Sequence, residues 1–309
     1  MSTKYSIIAP IFNELDNLPE LYARIRDVLS ATGGTWELIL VDDGSTDGST
    51  DRIRELAAQD KHVRPVIFAR NFGHQVAITA GWDYARGEAV VIIDADLQDP
   101  PEVIPEMIAK WKEGFEVVYA VRAEREGETW FKKISAAAFY RIIYRITDVK
   151  IPVDTGDFRL MDRKVVDVLK KMRERHRFPR GMSAWVGFRQ VGVPYKRSAR
   201  HAGVTKYPFK KMLRLALNAI TGFSYFPLQL ATYVGFVAAA LSILAIPVVI
   251  FMRVAGHSAF LGQATTLIAV LFLGGVQLIS LGVLGEYIGR IYDEAKGRPL
   301  YIVREAPEN

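Results

Sequence analysis

The stretch Ala89-Val-Val-Ile-Ile93, followed at once by Asp94-Ala-Asp96-Leu-Gln-Asp99-Pro-Pro101, decides the fold. Its first half is an unbroken apolar run rich in β-branched residues, as in a short strand buried on both faces. Its second half is acid and proline, which end the strand. The pattern repeats along the first third of the chain. Tyr5–Ala9, Trp36–Val41, Val63–Phe68 and Glu116–Ala120 are further short runs, and Leu18–Ser30, Ser49–Gln59, Gln75–Ala85 and Glu102–Lys112 between them read as helices. Strands alternating with helices predict an α/β fold with a mostly parallel sheet covered on both faces. Ligands of such sheets bind beyond the carboxyl ends of the strands, so the residues just after each run are the candidates for function.

Those ends are acidic. The first strand runs into Pro10-Ile-Phe12-Asn-Glu14, the second into Asp42-Asp-Gly-Ser-Thr-Asp47, and the fourth into Asp94 and Asp96. No Gly-x-Gly-x-x-Gly follows the first strand and no Gly-x4-Gly-Lys-Ser/Thr occurs, which disfavours dinucleotide and P-loop sites. An aspartate at a strand end is commonly a turn former or a helix cap, the reading given to Asp47, Asp51 and Asp99. Asp94 and Asp96 differ, because their i, i+2 spacing aims both carboxylates the same way. Two such acids repel unless a cation intervenes. A hard divalent ion, Mg2+ or Mn2+, bound by one or two carboxylates and completed by phosphate oxygens, meets that need.

The rest of the chain points to a membrane. Of 309 residues, 50% are hydrophobic and 24% charged, with a mean hydropathy of +0.10: too apolar for a wholly soluble protein, too charged for one lying mostly in lipid. Pro227 to Met252 and Ala264 to Gly285 carry no charge at all, and each exceeds the roughly 20 residues that cross a hydrocarbon core. Transmembrane helices are expected at about 227–252 and 264–289, with 291–309 as a cytosolic tail. Two spans form little intramembrane core, which makes a homo-oligomer a reasonable expectation. Lys206, Lys210, Lys211 and Arg214 precede the pair, Arg290, Lys296, Arg298 and Arg304 follow it, and Arg253 alone stands between. That bias places both termini and the first 206 residues in the cytoplasm, at the plasma membrane. The opening MSTKYSIIAPIF is a poor signal peptide. Residues 130–147 and 207–226 read as basic-faced amphipathic helices suited to an anionic lipid surface.

The absence of cysteine excludes disulfides, cysteine-ligated metal and a thiol nucleophile. A net charge of +6 favours an anionic partner: phosphate, lipid or nucleic acid. Clustering of the basic residues beside the spans speaks against nucleic acid.

Pro10-x-x-Asn13-Glu14, Val41-Asp-Asp-Gly-Ser45 and Asp94-Ala-Asp96-Leu-Gln-Asp-Pro-Pro101, in that order, resemble a family 2 glycosyltransferase of GT-A fold, the nucleotide-diphospho-sugar transferase architecture. Arg70-Asn-Phe-Gly73, Thr155-Gly-Asp-Phe-Arg159, Arg200-x-Ala-Gly-x-Thr-Lys-Tyr207 and the C-terminal helix pair narrow the resemblance to the polyprenyl-phosphate glycosyltransferases, such as dolichol-phosphate mannose synthases and bacterial bactoprenol glucosyltransferases. It covers essentially the whole chain. The resemblance implies inverting, metal-dependent transfer of a sugar from a nucleotide sugar to a polyprenyl phosphate. UDP-glucose is the favoured donor and GDP-mannose the alternative.

Carried over residue by residue, it implies that Pro10, Phe12, Glu14 and Asp42 line the base and ribose pocket, with Asn71 on the same nucleotide. Asp94 and Asp96 would address the metal and diphosphate. Asp157 would be the catalytic base, or an orienting group. Arg122, Lys132, Ser135, Arg200 and Lys206 would hold the acceptor phosphate. Removal of Tyr225–Asn309 is expected to spare nucleotide binding yet sharply reduce transfer to a long-chain acceptor. A processive polysaccharide synthase shares the acids but requires a Gln-x-x-Arg-Trp motif and more spans. A membrane-tethered nucleotide sensor or receiver without catalysis leaves Asp94, Asp96 and Thr155–Arg159 unexplained.

Overall fold

The computed structural model describes residues 3–122, 155–197, 224–255 and 263–307. These fall into two units, one holding the residues before 220 together with 298–307, the other holding 224–255 and 263–297.

The first unit is built on an eight-stranded sheet. In chain order its elements are β1 (Tyr5–Ile11), α1 (Leu18–Thr32), β2 (Trp36–Asp42), α2 (Ser49–Gln59), β3 (Val63–Phe68), α3 (His74–Tyr84), β4 (Ala89–Ile92), α4 (Ile104–Lys112), β5 (Val117–Arg122), β6 (Thr155–Asp162), α5 (Arg163–Lys171), α6 (Pro179–Trp185), β7 (Gln190–Tyr195) and, after the second unit, β8 (Val303–Glu305). The strands lie side by side as β7-β5-β6-β4-β1-β2-β3-β8. β1 to β4 run parallel, and β5 is parallel to β7. β6 and β8 are reversed. The mostly parallel sheet expected from the apolar runs is present.

Every residue of β1, β2 and β4 is buried, as unbroken apolar runs require when helices cover both faces. α1 shows how the covering works: Leu18, Leu21, Ile25 and Leu29 recur every three or four residues and are all buried, each adding roughly 1.5–3 kcal/mol. The buried ion pair of Glu37 and Arg64, at 2.8 Å, lies near the amino ends of β2 and β3. Glu37 also accepts the Arg86 amide at 2.7 Å. That pair belongs to the edge opposite the acidic loops.

Three strands escaped the sequence reading. β6 carries the Thr155–Arg159 motif and enters the sheet antiparallel, so its first residues stand at the carboxyl edge of the parallel strands. Its pairing with β4 runs from Ala89↔Asp162 to Ile92↔Arg159; continued two residues further, the register sets Asp94 across from Asp157. β8 shows that the expected tail is part of the sheet. It pairs with β3, Tyr301 stacks on Phe68 at 5.1 Å between ring centres, and the Tyr301 hydroxyl donates to Asp83 at 2.7 Å. Deleting Tyr225–Asn309 therefore strips the eight-stranded sheet of an edge strand, and the expectation that such a truncation spares nucleotide binding is withdrawn.

The second unit contains α7 (Phe226–Val254) and α8 (Gln263–Ala295). Phe226–Met252 and Ala269–Ala295 are each 27 residues long and apolar enough to cross a membrane. At 1.5 Å per residue each reaches about 40 Å, beyond the roughly 30 Å of a hydrocarbon core. α7 continues through Pro247. The hydroxyls of Thr232, Ser242 and Ser280 return to carbonyls one turn back at 2.8 to 3.0 Å, which satisfies them without water. The two amphipathic segments, 130–147 and 207–226 up to Phe223, lie outside the described residues, as do Lys132, Ser135, Arg200 and Lys206.

Candidate active site

The loops after β1, β2 and β3 are tied to one another through polar side chains. Pro10 is buried within β1, and Phe12 just beyond it is 39% exposed. Asn13 adopts a left-handed φ of 55° and accepts the Thr46 amide at 2.8 Å, while its own amide reaches Ser45 Oγ at 3.0 Å. The Glu14 amide donates to Ser49 Oγ at 3.1 Å, and its carboxylate accepts from Asn17 at 2.7 Å. Asp42, fully buried, accepts the Ser45 amide at 2.9 Å on one oxygen and the Thr50 hydroxyl on the other. Asp42 thus shapes the loop after β2, and each oxygen retains a second lone pair.

Asp43 fastens this loop to the next one, accepting Phe72 N at 2.6 Å and Gly73 N at 2.9 Å. Burial pushes its carboxyl up to about 6, against the pull of those two amides. Gly44 has a φ of +72°, and a Cβ there would lie 2.6 Å from Arg70 C and Asn71 N, so only glycine allows the loops to touch. Asn71 is exposed at this contact. Pro10, Phe12, Glu14, Asp42 and Asn71 therefore share one rim.

The centre of the edge is acidic. Asp94, Asp96 and Gln98 are half-buried, while Ala95, Leu97 and Asp99 between them are buried, so the alternation expected of an i, i+2 pair is observed. Leu97 holds a left-handed φ of 59°, a backbone strain of the kind that gathers at functional sites. Burial, with Asp157, Asp99 and Asp96 nearby, pushes the Asp94 carboxyl up to about 6, although His74 acts in the other direction. Asp94 Oδ1 is buried without a hydrogen bond, an orphaned acceptor suited to a cation. Among the described residues no group of three or more His, Cys, Asp or Glu forms a complete cage. Asp94 and Asp96 fit a site in which a ligand's phosphate oxygens supply the remaining coordination.

Asp157, across from Asp94, is buried and paired with two cationic side chains. Arg180 from α6 grips it with Nε to Oδ1 at 2.8 Å and Nη2 to Oδ2 at 3.2 Å. His74, the first residue of α3, brings Nε2 to 3.3 Å from Asp157 Oδ2 and 3.5 Å from Asp94 Oδ1. Burial works against the Asp157 charge, yet the Arg180 guanidinium and His74 hold its carboxyl well below the usual carboxylate range. For His74 burial favours the neutral ring, but the bond to Asp157 and the charges of Asp94 and Asp157 win, raising it to about 9. Arg159 lies alongside, bonded to Ser183 Oγ and to Gly156 O. A carboxylate held this firmly ionised is a weak proton acceptor and a strong anchor for cations.

On the far side of β6, Arg122 ends β5. Its neighbour in register is Tyr195 of β7, whose hydroxyl donates to Asp99. Asp99 has no exposed surface and meets Arg197 Nε at 3.5 Å. It is neither turn former nor cap, contrary to the reading of the sequence.

His74, Arg180 and Arg197 were not singled out in the sequence. His74 directly follows the Arg70–Gly73 motif, which was the available signal; Arg180 and Arg197 stand in no motif.

Comparison with known proteins agrees with this architecture. Residues 6–170 match glycosyl transferase family 2, and the chain belongs to that family. Residues 226–291 match the GtrB C-terminal hairpin. The chain is 52% identical to the uncharacterized glycosyltransferase YkcC of Bacillus subtilis, over 98% of this chain and 94% of the relative. It is 47% identical to the uncharacterized glycosyltransferase sll0501 of Synechocystis, over 99% and 96%. With the prophage-derived bactoprenol glucosyl transferase of Shigella flexneri the identity is 43%, over 98% of each. Among solved structures, a glucosyl-3-phosphoglycerate synthase from Mycobacterium tuberculosis in complex with Mn2+, UDP and phosphoglyceric acid superposes with a TM-score of 0.48 at 18% identity, covering 71% of this chain and 76% of that one.

Proposed function

We propose that this glycosyltransferase moves glucose from UDP-glucose to a polyprenyl phosphate at the cytoplasmic face of the membrane, with inversion at the anomeric carbon. The observation that carries the reading is the set Asp94, Asp96 and Asp157 at the carboxyl edge of a family 2 sheet, in a chain that also bears an apolar helix pair. Relatives at 42–43% identity over nearly the full chain are named bactoprenol glucosyl transferases or a homologue of one.

The chemistry follows from the groups present. An oxygen of the acceptor phosphate attacks the anomeric carbon, the bond to the diphosphate breaks on the opposite face, and negative charge collects on the leaving group. A divalent cation bound at Asp94 and Asp96 would supply neutralisation of that charge. A phosphate monoester, with a second pKa of about 6, is already largely dianionic at neutral pH and requires no strong base. Asp157 accordingly acts by holding His74 and Arg180 beside the reacting phosphates, in the orienting role. The rim of Pro10, Phe12, Glu14, Asp42 and Asn71 receives the nucleoside. The lipid chain of the acceptor stays in the bilayer while the donor stays in water, so transfer belongs at the surface where the two meet, and α7 and α8 suit a chain that works there.

The test is incubation of the full-length protein in detergent or vesicles with a polyprenyl phosphate, Mg2+ or Mn2+ and either UDP-glucose or GDP-mannose. Release of UDP and formation of a lipid-linked glucose, both dependent on the acceptor, are expected. Faster turnover with GDP-mannose replaces the donor, and nucleotide binding without transfer returns the chain to the sensor class.

A further inference from the structure

The sheet order separates three chemistries. Nucleotide-side loops follow β1, β2 and β3, the acids stand on β4 and β6 in the middle, and a cationic cluster occupies β5 and β7 on the other flank. The cluster has an unusual core: Asp99, a carboxylate with no exposed surface, beside two guanidinium groups and a phenol. Tyr195 donates its hydroxyl to Asp99 and also bonds Arg122. Arg197 Nε stands 3.5 Å from Asp99 Oδ1, beyond a good hydrogen bond. A Cβ on Gly156 would lie 3.4 Å from Arg122 Nη2 and 3.8 Å from Asp99 Oδ2, which brings all of these groups to the start of β6, next to Asp157.

The hydrogen bonding of the cluster is incomplete, and donors outnumber acceptors. Arg122 Nε, Arg197 Nε and Asp99 Oδ2 are buried atoms without a hydrogen-bond partner. Two guanidinium groups present ten donors, and one carboxylate cannot use them. Its charge does suffice to hold both cations at one place on the edge, leaving a surplus positive charge there. Arg197 keeps 29% of its side chain exposed, so the cluster remains open to a ligand. The complement to forked donors and surplus charge is a compact anion with several oxygens, and a phosphate monoester suits it best.

Position selects which phosphate. Inversion requires the incoming oxygen to approach the anomeric carbon from the side opposite the leaving diphosphate. With the nucleoside on the β1–β3 rim and the diphosphate at Asp94 and Asp96, the opposite side is the β5–β7 flank. We propose that Arg197 is a ligand of the acceptor phosphate alongside Arg122, and that Asp99 and Tyr195 are positioning residues that set the two guanidinium groups. This rests on the polyprenyl-phosphate reading above and adds to it three residues, Arg197, Asp99 and Tyr195, which the family resemblance does not assign.

Steady-state kinetics of the full chain with a short polyprenyl phosphate such as farnesyl phosphate tests it. Arg197→Gln is expected to raise the acceptor KM about tenfold, the worth of one charge-assisted hydrogen bond, with the UDP-glucose KM unchanged. Arg197→Lys recovers part of the loss. Asp99→Asn raises the acceptor KM in the same way, and Asp99→Leu, which removes the polar group altogether, does so more strongly. Direct titration of the full-length variants with UDP serves as the control for folding and is expected to match the wild type. An acceptor KM unmoved by Arg197→Gln overturns the proposal, and so does a rise confined to the UDP-glucose KM, which assigns the cluster to the diphosphate. A wild type that transfers no sugar to any polyprenyl phosphate defeats the functional reading itself and this inference with it.

Discussion

Arg180 meets Asp157 through two parallel contacts, Nε to Oδ1 at 2.8 Å and Nη2 to Oδ2 at 3.2 Å. Such a fork fixes the plane of the carboxylate as well as its charge. With His74 on the same Oδ2, the residue that the family resemblance offers as a base is held ionised by two cationic side chains.

Asp157→Asn is therefore expected to lower transfer by about 100-fold, the scale of a lost electrostatic contact at a reacting centre, and by the same factor at pH 5.5 and at pH 8. A base role predicts otherwise: near-normal turnover where the phosphate is dianionic and failure at pH 5.5. The pH profile of kcat for the variant separates the two. The same change removes the buried negative charge that faces Arg180 and His74 and costs on the order of 3 kcal/mol of stability, read as a fall in the unfolding midpoint.

His74 gives stability its own pH signature. Its ordinary value is 6.5 and the fold raises it to about 9, so the protonated ring is favoured in the native state. The stabilisation is complete below pH 6.5 and is lost as pH rises through 9. Thermal unfolding in chelator-containing buffer should show wild type most superior to His74→Gln at pH 6 and the gap closing by pH 9.5.

Asp94→Asn sets function against stability. Burial and neighbouring acids penalise the Asp94 charge, so the amide should leave the melting temperature equal or higher, while transfer falls at least about 100-fold. UDP affinity in the wild type should drop on addition of chelator, whereas that of the variant should not respond. A variant with full turnover excludes Asp94 from the proposed cation site.

Gly44→Ala tests the contact between the loops after β2 and β3. The new methyl would meet two backbone atoms at 2.6 Å at a φ of +72°, a cost of roughly 2 kcal/mol or more. UDP affinity should fall with stability, because Asn71 and Asp42 share that contact. The measurements are thermal unfolding and UDP titration.

Much of this was legible in the chain itself. The first five strands declare themselves because each is a short local run, and the register of Asp94 and Asp96 follows from two-residue periodicity. What was hidden depends on distant partners. β6 was recognised as a motif yet not as a strand, since its neighbours β4 and β5 precede it by dozens of residues and its reversed direction has no local sign. Asp99 looked like a turn former because its companions, Tyr195 and Arg197, lie almost a hundred residues on. His74 is a single histidine at a helix start, and only the fold supplies the two aspartates that give it meaning. The C-terminal strand is three residues long, and its pairing with β3 spans most of the chain.

That last pairing governs the order of assembly. β8 follows both long apolar helices in the chain, so it leaves the ribosome only after they have been made. A nascent chain thus carries a sheet with a bare edge at β3 until β8 has emerged, and Tyr301 can cover Phe68 only then. Completion of the catalytic unit is in this way deferred until the hydrophobic pair has already emerged.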